Sequence, residues 1–117
     1  MLLSPILAYH SVCLVVFGVV GLMFFPLQML RMTGFKAHME EKQLMIYRIC
    51  GLWVAAGGIV SLLAWMSEHR RTQWNACAFF AVVHGIELLI KMRGVPGSVS
   101  HLLANGHLVL LLVIACF

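Results

Sequence analysis

Residues 47–65, "YRICGLWVAAGGIVSLLAW", decide the fold. After Arg48 the stretch carries no further charge and ends on a tryptophan. A helix needs about 20 residues to cross ~30 Å of hydrocarbon, and an aromatic end suits the membrane interface. The stretch therefore predicts a transmembrane helix. Gly51, Ala55, Gly58 and Ser61 recur at steps of four, three and three, which places small side chains along one face. Lipid gives helices no hydrophobic reason to associate, so close packing relies on such faces. One segment thus predicts both a span and the side on which a neighbour packs.

The rest of the chain reads the same way. Its 117 residues are 62% hydrophobic and 10% charged, with a mean hydropathy of +0.99. Soluble domains carry about 25% charged residues, and a chain this short has too small an interior to hide so much apolar surface. Three more apolar segments run from about Ser4 to Leu27, Trp74 to Ile90 and Val99 to Phe117. The expected fold is all-α: a single domain forming an integral membrane four-helix bundle. The first segment lacks a basic leader and a small-residue cleavage site, so it reads as a retained span. The chain ends almost inside its fourth span, which leaves room for a further tail.

Connector composition adds detail. In "QMLRMTGFKAHMEEKQLM", residues 28–45, Thr33-Gly34 is expected to break the first helix and Phe35 to Met45 to form a short helix on the membrane surface. Trp65 and Trp74 bracket the tight "MSEHRRTQ", and "KMRGVPGS" is a loop by its Gly and Pro. Net charge is +4. The first and third connectors hold Arg31, Lys36, Lys42, Arg48, Lys91 and Arg93, the second only Arg70 and Arg71. The positive-inside rule then places both termini on the outer or lumenal side. No basic tract suggests a nucleic-acid partner. Cys13, Cys50, Cys77 and Cys116 show no paired spacing and read as small hydrophobes.

The third segment carries the polar residues. In "AVVHGIELLIKMRG", residues 81–94, His84 and Glu87 stand one helical turn apart in an apolar run. Cys77, Ala81 and Gly85 make a second small-residue stripe, and Gly18 and Gly21 thin the first span. Arg48, three residues before Gly51, shares the face of the stripe and is a candidate ion-pair partner for Glu87 at similar depth. Two local alternatives compete: Glu87 with Lys91 at i, i+4, and Arg48 snorkelling to headgroups.

His10, His84 and His107 lie within spans, where an ionisable side chain is a functional candidate by default. His84 and His107 are expected at similar depth and in a position to face each other. Each of the three is a candidate axial ligand for haem iron or chlorophyll magnesium. The plainer reading is a histidine bonded to a backbone carbonyl or to Asn105. No paired metal spacing occurs, and nothing resembles a nucleophile with its base or a phosphate loop. These features argue against an enzyme.

Arg48-x-x-Gly51-x-Trp53, followed by His84 and Glu87-Leu88, resembles the ergosterol-biosynthesis scaffold family, small four-span proteins of the endoplasmic reticulum. The likeness covers residues 47–90. The His-to-Glu gap is three residues here against an expected four. Four-span DoxX-like proteins are similar in outline. The resemblance implies a non-catalytic tether that gathers membrane enzymes, its bundle held by Arg48 and Glu87. The expected function is therefore a scaffold or accessory subunit of a larger membrane complex, photosynthetic and respiratory complexes included. Its partners would be other membrane subunits and lipid. A histidine-ligated cofactor protein and a proton-coupled transporter or redox enzyme using Glu87 are the alternatives. Thylakoid, mitochondrial inner membrane and endoplasmic reticulum all remain open.

Overall fold

The computed structural model describes residues 3–32, 38–94 and 99–117, and these are helical almost throughout, with no strand among them. Helix α1 spans Leu3–Val15 and continues as a π-helical segment, Val16–Phe24. A short α2 covers Pro26–Met32, and the long helices α3, α4 and α5 cover Glu41–Met66, Arg70–Gly94 and Val99–Cys116. Three helices are long and apolar enough to cross a membrane: Leu3–Phe24, Glu41–Met66 and Arg70–Ile90. Within α5 the described apolar stretch, Asn105–Cys116, is shorter.

Helix α4 runs from Arg70 to Gly94 and takes in residues on both sides of the expected 74–90 segment, so four residues of each flanking connector are helical. The first two spans also have different boundaries. The first span stops at Phe24, short of Leu27. Phe25 leaves the helical region (φ −125°, ψ 52°), because a residue before proline is pushed out of α geometry. Pro26 then takes the first position of α2, where its missing N–H costs nothing. The second helix begins at Glu41, six residues ahead of Tyr47. Glu40 and Gln43 form a reciprocal cap there, with the Glu40 N–H donating to Gln43 Oε1 at 3.0 Å. Residues 41–45 accordingly belong to α3 and not to a separate surface helix. The expected break at Thr33-Gly34 and the stretch 35–37 lie outside the described residues.

The helices form two antiparallel pairs. The first span lies against α3 along its length, and α4 lies against α5. Helix α1 also touches α4 and α5, whereas among the described residues its π-helical continuation touches neither. The pairs are thus joined along α1 and separate beyond it. The whole measures 46 × 25 × 16 Å, little thicker than one helix of about 10–12 Å diameter.

Backbone proximity explains the first pair. A Cβ at Gly18 would lie 2.5 Å from the Gly51 carbonyl oxygen, and one at Gly51 would lie 2.5 Å from that of Gly18. A Cβ at Gly58 would meet the Ser11 carbonyl at 3.0 Å, and the Ser11 hydroxyl donates to the Gly58 carbonyl at 2.8 Å. Gly51, Ala55, Gly58 and Ser61 are all buried on this face. The second pair closes at the other end, where Trp74 Nε1 donates to the Cys116 carbonyl at 3.1 Å; Gln73 Nε2 donates to the Ser67 carbonyl at 2.9 Å across the turn from α3 to α4. The core between the pairs comprises Leu7, Leu14, Cys77, Phe80 and Leu112 with their neighbours.

Gly18→Val therefore has nowhere to go but into backbone, and should lower stability by about 1–3 kcal/mol. Gly85→Ala is the control. A Cβ there meets nothing within 4 Å, so the change should stay within about 0.5 kcal/mol. Reversible unfolding in mixed detergent micelles measures both.

Candidate functional site

The apolar core holds a chain of polar side chains. On α1 the inward residues Leu3, Ile6, Leu7, His10, Ser11 and Leu14 follow helical spacing, which carries His10 into the interior with no exposed surface. Ser61 occupies the end of the small-residue face of α3 and is also fully buried. On α4, Cys77, Phe80 and His84 fall at i, i+3 and i+7, which puts His84 on the same inward face at 6% exposure. Helical periodicity puts each of the three on an inward face, and the packing of α1 against α3 and α4 brings them together.

Every link has hydrogen-bond geometry. The Ser61 hydroxyl donates to the Leu7 carbonyl at 3.1 Å. His10 Nδ1 lies 3.0 Å from Ser61 Oγ, and His10 Nε2 lies 2.8 Å from His84 Nε2. His84 Nδ1 lies 2.9 Å from Glu87 Oε2. Phe80 walls the pair, its ring 4.5 Å from that of His10 and stacked at 6.3 Å on that of His84. The chain leads from a fully enclosed serine to a carboxylate whose side chain is 43% exposed.

Other candidates fall elsewhere. Arg48 does not reach Glu87: it pairs with Glu41 on its own helix at 2.9 Å. The cause is that the Gly51 face, which Arg48 shares, packs on the first span and not on α4. Glu87 bonds His84 instead, and the Lys91 side chain lies outside the described residues. His84 and His107 do not face each other. His107 is exposed and bonds the Tyr9 hydroxyl at 2.9 Å, tying α5 to α1 on another side. Asn105 does not serve a histidine, since its Nδ2 is buried with no hydrogen-bond partner. Ala81 packs against the core, whereas Gly85 faces open space.

For the ligand reading, His10 and His84 have all four ring nitrogens within hydrogen-bond distance of protein groups. Among the described residues no three His, Cys, Asp or Glu side chains converge as metal ligands. The sequence reading singled out His10, His84 and Glu87 but took Ser61 only as a small packing residue. Its place on the buried face, in line with Gly58, was the available signal. Compared with known proteins, the chain matches no family model, no curated protein and no solved structure.

Removing one partner of a buried hydrogen bond leaves the other unsatisfied, at about 1–3 kcal/mol. Ser61→Ala and His84→Ala should each destabilise by that order. Arg48→Ala should cost no more than about 1 kcal/mol, because its pair with Glu41 is exposed and screened by solvent. Thermal unfolding of the three variants in detergent makes the comparison.

Proposed function

We propose that this protein is a non-catalytic membrane subunit, a four-span helical scaffold or accessory component of a larger membrane assembly. In this reading α5 is the fourth span, and both termini lie on the outer or lumenal side. The single observation that carries it is the state of α4. This helix has the lowest hydropathy of the three long spans, 1.3 against 2.2 and 1.9, and it is also the least covered, 17% buried against 44% and 28%. A helix facing only lipid is expected to be the most apolar one. The least apolar helix being also the least covered suits contact with further protein.

One detail of the same hairpin supports this. Among the described residues nothing stands within 4 Å of a Cβ at Gly85 on α4 or Gly106 on α5, and small residues on an outer surface let another backbone approach closely. The resemblance of Arg48-x-x-Gly51-x-Trp53 with His84 and Glu87-Leu88 to the ergosterol-biosynthesis scaffold family is in keeping with such a role. A subunit of a photosynthetic or respiratory complex has the same physical requirements. The structure pairs Arg48 and Glu87 with other residues, so an Arg48–Glu87 tie is no part of the proposal.

Extraction in a mild detergent should yield a defined, stoichiometric set of membrane partners. Gly85→Leu and Gly106→Leu should each reduce their recovery at least tenfold while leaving unfolding of the isolated protein unchanged. Recovery of the wild type as a lone monomer or homodimer would contradict the subunit reading.

A further inference from the structure

We propose that Glu87, His84, His10 and Ser61 form an intramembrane site that binds one exchangeable proton, loaded and released at Glu87. The directions of the hydrogen bonds carry the inference. A backbone carbonyl has no proton to give, so Ser61, 3.1 Å from the Leu7 carbonyl, must donate to it. Its single proton is then used, and the contact at 3.0 Å requires His10 Nδ1–H to donate to Ser61 Oγ. A neutral His10 with its proton on Nδ1 has a bare Nε2. The 2.8 Å contact therefore requires His84 Nε2–H to donate to His10. On the far side, 2.9 Å separates His84 Nδ1 from a carboxylate oxygen. A proton must sit between those atoms too, since two lone pairs at that distance repel.

The chain as built thus holds His84 as imidazolium beside ionised Glu87, or the equivalent neutral imidazole and carboxylic acid. Either way its net charge is zero. A second, fully bonded arrangement exists with one proton fewer. In it Ser61 turns its hydroxyl from the Leu7 carbonyl to His10 Nδ1, His10 donates through Nε2 to His84, and His84 donates through Nδ1 to Glu87. That form carries a charge of −1. The two differ by one H⁺ exchanged with water, by a change of the protonated nitrogen on each imidazole, by reversal of the Ser61–His10 and His10–His84 hydrogen bonds, and by loss of the bond from Ser61 to the Leu7 carbonyl. Only N–H and O–H bonds form or break, and nothing is oxidised or reduced.

Access is one-sided. Ser61, His10 and His84 are buried, and the Glu87 side chain is 43% exposed. Glu87 lies three residues before the end of the apolar stretch at Ile90, about 5 Å along the helix axis. Protons therefore enter and leave at the basic end. Other titratable groups on these helices are Tyr9 and Cys13 on α1, Cys77 on α4, His107 on α5 and Lys91, four residues after Glu87 in the sequence. Among the described side chains none of these bonds Ser61, His10 or His84; Tyr9 and His107 bond each other.

The test uses full-length protein, ¹⁵N-labelled at histidine, in liposomes and observed by solid-state NMR. The wild type should show one histidine pair coupled across an N–H···N bond, and raising the pH should release one proton per chain while the ¹⁵N signals of that pair move as the shared proton changes sides. In Glu87→Gln the release and the movement should be lost while the N–N coupling persists. In Ser61→Ala, which leaves the carboxylate in place, the release should persist and only the His10 Nδ1 signal should move. Paired histidine signals that stay fixed with no proton released in the wild type as the pH is raised, or a release unchanged in Glu87→Gln, overturn the proposal.

Discussion

Two histidine nitrogens meet at 2.8 Å in an apolar interior, His10 Nε2 on α1 and His84 Nε2 on α4. This contact is the buried one of the directional ties between the two helix pairs; the Tyr9–His107 bond is exposed. His10 simultaneously engages Ser61 of α3, so one side chain links three helices. Unpaired polar groups in hydrocarbon are costly, and that cost makes the arrangement selective. If one pair slid against the other by one residue, His10 Nε2 and His84 Nε2 would lose each other as partners.

That meeting depends on how near the first span can come to α3. Gly18 against Gly51, and Ser11 against Gly58, bring the two backbones into direct contact. With ordinary side chains at those positions the axes would move apart, and Ser61 would no longer reach both the Leu7 carbonyl and His10. The small-residue face thus fixes the spacing and the polar chain fixes the register. Beyond α1 only the spacing constraint continues: the π-helical segment stays with α3 through Gly18 and Gly51, while among the described residues Gly85 and Gly106 look outward. The protein is tightly specified at one end and open along one face at the other, which is the physical basis for reading it as a component of something larger.

Much of this was legible before the structure. Apolar length and the paucity of charge located the helices, because a backbone in lipid must satisfy itself internally and helix is the simplest solution. The spacing of Gly51, Ala55, Gly58 and Ser61 marked one face of α3. The sequence could not say which helix would occupy that face, and assigning α4 to it produced the mistaken Arg48–Glu87 pair. His10 and His84 were visible as unusual residues. That they bond one another depends on two helices 74 positions apart in sequence, and no periodicity within either helix encodes that. The early start of α3 was missed because the Glu40–Gln43 cap lies in polar sequence that reads as connector.

The central claim is that the His10–His84 contact joins the two pairs, and a double-mutant cycle tests it most directly. Unfolding free energies of wild type, His10→Leu, His84→Leu and the double variant would be measured in one detergent. The account predicts non-additivity, with the double variant little worse than the worse single and a coupling of about 1 kcal/mol, as for the stronger hydrogen bonds between membrane helices. Strictly additive losses would contradict it, and would mean that the two histidines are neighbours in the core without being partners.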